Sequence, residues 1–106
     1  REAGALNALG QVLSASGRHA DALGPLDEAL RLATALPNRD EAAIAMTAKG
    51  RALRALGRLD EAAAVLTEAL AESRRVRFPV SERDDLTELA LLERDRGDLA
   101  AAARVL

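Results

Sequence analysis

His19, the only histidine, stands two residues before Asp21 in SGRHADA, and an imidazole beside a carboxylate suggests proton transfer or metal ligation. The chain has no second histidine and no cysteine to complete a metal site or a nucleophile–base pair, so His19 reads as a solvated turn residue. Asp84 and Asp85 are adjacent acids of the kind that do acid–base work, yet no nucleophile or pocket-forming aromatic accompanies them. Their run, ERDDLTELALLERDRGD, mixes both signs as a solvated helix face does. Arg74 and Arg75 in SRRVRF fall where a helix should end, a place that favours cations; a phosphate patch is the competing reading. No glycine-rich phosphate loop is present. The expectation is a protein with no enzyme activity, no metal and no cofactor.

Composition narrows the class further. The 106 residues are 49% hydrophobic and 30% charged with a formal charge of −2, the balance of a folded domain rather than a disordered tail. A pI near 5.4, one Phe and no Trp or Tyr argue against nucleic-acid binding. Apolar runs are a few residues long, short of the roughly 20 that span a bilayer, so no membrane association is expected. Lack of cysteine favours a reducing cytoplasm. The chain opens at Arg1 and closes on AAAARVL, which reads as a segment of a longer polypeptide, and its excess of Arg over the single Lys49 suggests a GC-rich genome.

The elements that must carry these residues repeat. Gly17, Gly57 and Gly97 lie 40 apart, and the same offset relates Gly10 to Gly50 and Ala90, Ala22 to Ala62 and Ala102, and Leu26 to Leu66 and Leu106. Leu6, Leu9 and Leu13 fall on one helical face; Leu23, Leu26, Leu30 and Ala33 fall on another. The spacing predicts helices at 2–16, 19–36, 40–56, 59–76, 82–96 and 99–106, paired as hairpins in units 1–39, 40–80 and 81–106. Glycine ends a helix at least cost in the left-handed conformation, so Gly17, Gly57 and Gly97 read as the reversals. Gly10 and Gly50 are mid-helix, where glycine costs about 1 kcal/mol, so they predict close helix approach, with Ala22 and Ala62 opposite. Pro37 and Pro79 stop helices, Asp40 and Ser81 read as N-caps, and Pro25 predicts a kink or a late helix start.

The run Leu6-x2-Leu9-Gly10-x2-Leu13, followed by Gly17, Ala22, Leu26 and Ala29, resembles the tetratricopeptide repeat family, with aliphatics in place of its aromatics. Met46-x2-Lys49-Gly50-x2-Leu53, Gly57, Ala62, Leu66 and Ala69 repeat it. The unit is longer than the family's common one of about 34 residues, like the variant in kinesin light chains and bacterial regulatory proteins. The third unit is weaker, with Glu93 in the place of Leu13 and Leu53.

The resemblance implies an all-α, right-handed α-solenoid of stacked antiparallel hairpins, two and a half to three repeats long, serving protein or peptide binding. First helices then line a concave groove, which implies groove roles for Asn7, Gln11 and Ser14, for Ile44, Thr47, Arg51 and Arg54, and for Asp84, Thr87, Glu88, Leu91 and Arg94. Asn7, Thr47 and Thr87 recur at one offset as a track for a peptide backbone, and Arg51 with Arg54 would pair a carboxylate. The lysines of a chaperone-binding carboxylate clamp are missing. The alternative is a structural repeat segment without a groove ligand, joined to a second copy through its terminal helices, where Leu99, Ala102, Ala103 and Leu106 lack a covering helix.

Overall fold

The computed structural model describes residues 2–105, with side chains at 99–103 and 105 outside the described set. Five helices follow one another: α1 Ala3–Ala15, α2 His19–Thr34, α3 Asp40–Ala55, α4 Leu59–Arg75 and α5 Pro79–Val105. No strand occurs among the described residues. Helices α1 and α2 form one hairpin, α3 and α4 the next, and α2 packs on α3 to join them, giving an all-α repeat solenoid of 49 × 27 × 18 Å.

The reversals form where glycine permits them. Gly17 has φ +84° and donates its N–H to the Ser14 carbonyl at 2.9 Å, while Arg18 N–H reaches the Leu13 carbonyl at 2.9 Å. Gly57, at φ +79°, repeats this with Arg54, and Arg58 with Leu53. Both satisfy orphan carbonyls at a helix end through a left-handed residue. The end of α4 uses the same bonds, Arg77 N–H to Arg74 O and Phe78 N–H to Ser73 O, but Arg77 is the left-handed residue at φ 56°. Pro79 then opens α5, a position where its missing N–H costs nothing.

Gly10 and Gly50 mark close approach, with a different partner from the one expected. A β-carbon on Gly10 would stand 2.5 Å from Leu26 Cγ, and one on Gly50 2.5 Å from Leu66 Cγ. The second helices therefore seat a leucine, not Ala22 or Ala62, against the bare backbone. Leu26 and Leu66 are fully buried, and Leu66 joins Leu53, Ala62 and Leu92 in the core beneath α5.

Other expectations are corrected. Asp40 is the first residue of α3 and Arg39 its N-cap, without a side-chain capping bond; the Asp40 N–H donates to Asn38 Oδ1 at 2.8 Å in an Asx turn that leads into the helix. Ser81 is no cap: it lies buried inside α5. Pro25 sits within a helix that already starts at His19, so no late start occurs. The break expected at Gly97 is absent, and α5 runs on through 27 residues. Leu13 and Leu53 accept the closing bond of the first two reversals and pack into the core, whereas the third unit offers exposed Glu93. Arg96 pairs with Glu93 one turn earlier and with Asp60 on α4, and Asp95 pairs with Arg54 on α3, contacts that tie this part of α5 to the second hairpin.

Candidate functional site

The recurring polar positions lie between units. Asn7, nearly fully buried, donates from Nδ2 to the Glu41 carbonyl at 3.1 Å and to Glu41 Oε1 at 2.8 Å. Its Oδ1 has no hydrogen-bond partner among the described residues. Thr47, one repeat later, is buried too and meets Ser81, which stands 34 residues on as Glu41 does from Asn7. Both side chains tie one unit to the next; Asn7 lines neither of the two surface clefts, whereas Thr47, though buried, stands with Ser81 in the wall of the smaller one. Thr87, by contrast, is exposed and bonds back to the Arg83 carbonyl at 2.9 Å, a contact within its own helix. The expected three-residue track is therefore not a continuous surface.

Asp85 occupies the second joint. It is fully buried, receives the Thr47 hydroxyl on Oδ1 and the Ser73 hydroxyl on Oδ2 at 2.7 Å, and Ser73 also bonds Ser81 at 2.9 Å. Burial pushes the Asp85 carboxyl above the ordinary carboxylate range; the Thr47 and Ser73 hydrogen bonds pull it back, Asp84 adds to the rise and Arg51 opposes it. The sequence reading puts this acid on a solvated face and Ser81 at a helix N-cap, and gives Ser73 no role. The available signal was the repeat itself: at an offset of 40, Ser73 and Asp85 replace Ala33 and Ala45, both fully buried.

Arg51 and Arg54 are brought together, with a carboxylate of the chain's own. Arg51 Nε lies 2.9 Å from Glu88 Oε2, Arg54 Nε lies 3.0 Å from Glu88 Oε1, and Arg54 Nη1 reaches Asp95 at 3.2 Å. Glu88, for which the family resemblance implies a groove role, is buried at their centre. The Arg51 side chain keeps 43% of its exposure and that of Arg54 20%.

The open surface flanks these pairs. One cleft of about 550 Å³ is walled by Gln11, Val12, Ser14 and His19 against Arg51 and Arg54. A second, of about 240 Å³, adds Ile44, Phe78, Val80 and Asp84. The two share Gln11, Ala48 and Arg51 and so form one track across α1, α3 and the start of α5. Of the positions expected in a groove, Gln11 is exposed on this track, Ser14 and Ile44 are half-buried in it, and Asp84 lies on its rim. Leu91 is half-buried and Arg94 exposed, and neither lines either cleft. Val12 escapes a sequence reading because an aliphatic side chain on a repeat helix reads as core, and Phe78 and Val80 because they fall between the expected helices 59–76 and 82–96; Val12 is 63% exposed and Val80 53%.

His19 is more ordered than a solvated turn residue. It begins α2, is half-buried, and its Nδ1 lies 2.7 Å from Ser14 Oγ. In SRRVRF, Arg75 pairs with buried Glu72, which also binds Arg39, and Arg74 lies 3.6 Å from Glu82. Those cations thus meet internal carboxylates. Among the described residues no cluster of His, Cys, Asp and Glu could hold a metal ion, and no helix is long and apolar enough to cross a membrane. Leu99, Ala102, Ala103 and Leu106, expected to form an uncovered end, have side chains outside the described set.

No curated protein and no solved structure matches the chain. A tetratricopeptide repeat family profile matches residues 1–74, which takes in both complete hairpins with their glycine reversals and seated leucines. Repeats of this kind generally mediate protein–protein interactions and are typically non-catalytic scaffolds. With the profile covering well over half the sequence and the hairpins recurring at one period, the chain belongs to the tetratricopeptide repeat family.

Proposed function

We propose that the chain is a docking module that binds an extended peptide segment of a protein partner along the face of α1, α3 and the start of α5. One observation carries this reading: the two clefts share Gln11, Ala48 and Arg51, giving a continuous track with both apolar walls and polar rims. Gln11, exposed and uncommitted to internal hydrogen bonds among the described residues, is suited to a peptide backbone. The module acts without catalysis, metal or cofactor, as the interaction arm of a larger cytoplasmic bacterial regulator. The arginine- and alanine-rich composition, as of a GC-rich genome, supports the bacterial source, and the longer repeat unit supports the regulatory setting.

The test is selection of peptides from a displayed random library on the folded chain, followed by amide chemical-shift mapping. Shifts centred on Gln11, Val12, Ala48 and Arg51 support the track. Shifts confined to the outer face of α2 and α4 would overturn it.

A second reading, self-association, is favoured by α1. Ala5 and Ala8 are exposed, as is Leu9, whereas Ala45 and Ala48, one repeat on, are buried against α2 and Lys49 pairs with Asp27 there. A helix placed on α1 as α2 is placed on α3 would cover them. Sedimentation of Leu9→Asp beside the parent chain decides: loss of a dimer supports the reading, and a parent chain monomeric at high concentration removes it.

A further inference from the structure

The smaller cleft has a chemical bias of its own. Its wall is apolar where Ile44, Phe78, the only aromatic residue, and exposed Val80 converge. Two charged side chains also line it, and they are not equivalent. Arg51 is already bound to Glu88, whereas Asp84 forms no ion pair among the described residues. Val80 and Asp84 are four apart on α5 and therefore neighbours on one helix face, about 5–6 Å between β-carbons. Alternate residues of an extended peptide point to the same side and are about 6–7 Å apart. An apolar side chain resting on Val80 and Phe78 would thus place the residue two positions away over Asp84.

We propose that this cleft selects partner peptides with an apolar residue and a lysine or arginine two positions apart, the apolar side chain held by Ile44, Phe78 and Val80 and the cation paired with Asp84. This rests on the reading of the face as a peptide track. Because Glu88 already occupies Arg51 and Arg54, a C-terminal carboxylate is not the feature recognised. The partner is an internal, basic-apolar segment of a protein.

The experiment uses a displayed library of random nine-residue peptides, selected on the parent chain, on Asp84→Asn and on Asp84→Lys. Affinities are then read by fluorescence polarisation. Enrichment of an apolar residue with Lys or Arg two positions away is expected, with binding about fivefold weaker to Asp84→Asn. Selection on Asp84→Lys should exchange the basic residue for an acid. Apolar peptides with no charge preference, or affinities indifferent to both Asp84 variants, would overturn the inference while leaving the track intact. An empty selection, or peptides that bind Val12→Asp and Val80→Asp as well as the parent, would remove the track itself. Asp84 is half-buried, so circular dichroism accompanies each variant; should Asp84→Lys fail to fold, the isosteric Asp84→Asn comparison decides.

Discussion

Leu66 Cγ lies 2.5 Å from the place where a β-carbon on Gly50 would stand, and Leu26 bears the same relation to Gly10. In each hairpin the second helix sets a leucine directly on the backbone of the first. Two opposed effects then follow from adding a methyl group: alanine gains about 1 kcal/mol of helix propensity, and overpacking a fully buried leucine costs about 1–3 kcal/mol. Gly50→Ala is expected to lower the urea midpoint in spite of its propensity. Gly24→Ala, at a helical position with nothing within 4 Å, should raise stability by about 0.5–1 kcal/mol. A stabilised Gly50→Ala would refute the close fit.

The reversals make an opposite pair. Gly57→Ala forces a β-carbon into φ +79° and should cost about 1–2 kcal/mol. Arg77 already bears that strain at φ 56°, so Arg77→Gly should gain up to about 1 kcal/mol, less what the freer unfolded glycine chain takes back. Thermal melts of both variants give the signs.

Asp85 predicts a pH dependence. Its folded carboxyl holds a proton more tightly than the unfolded one, so its contribution is fully present below the unfolded carboxylate pKa and is lost as pH rises through the higher folded value. Asp85→Asn has no such loss. The difference in urea midpoint between Asp85→Asn and the parent should move in favour of the variant as pH rises from about 4 to 7. A difference that stays flat would mean that the two hydroxyls of Thr47 and Ser73 hold the ionised form without penalty.

Glu88 binds two arginines from a buried position, so Glu88→Gln should destabilise by about 2 kcal/mol, between the values for surface and buried pairs. Arg54→Ala should cost more than Arg51→Ala, because Arg54 is the less exposed and also holds Asp95. A double-mutant cycle on Arg54 and Glu88, read by urea unfolding, measures the coupling. Reversing both arginines to glutamate would set two acids against Glu88 and damage the fold together with any binding.

The hairpins were legible because glycine leaves a local signature. A reversal at Gly17 or Gly57 and a bare helix at Gly10 or Gly50 each need that residue type at one place, and a fixed offset repeats the need. The polar joints carry no such mark. Asn7, Thr47 and Asp85 are residues that ordinarily face water, and only the docking of successive units buries them, Glu41 arriving on Asn7, and Ser81 and Asp85 of α5 arriving on Thr47 and Ser73. The extension of α5 past Gly97 was hidden for the converse reason: glycine permits a turn, and the missing leucine anchor at Glu93 decides that none forms.

The two joints also differ from each other, and the difference bears on assembly order. Asn7 meets Glu41 at the first, whereas Thr47, Ser73 and Ser81 surround Asp85 at the second. A first hairpin that docked on α5 by mistake would bring Asn7 and Ala33 where Thr47 and Ser73 belong, stranding the Asp85 carboxyl without the Ser73 hydroxyl. Misassembly of neighbouring units is a characteristic failure of repeat proteins. The unlike polar groups at successive joints thus penalise a misordered stack, in which Asp85 would lose one of its two hydroxyl donors.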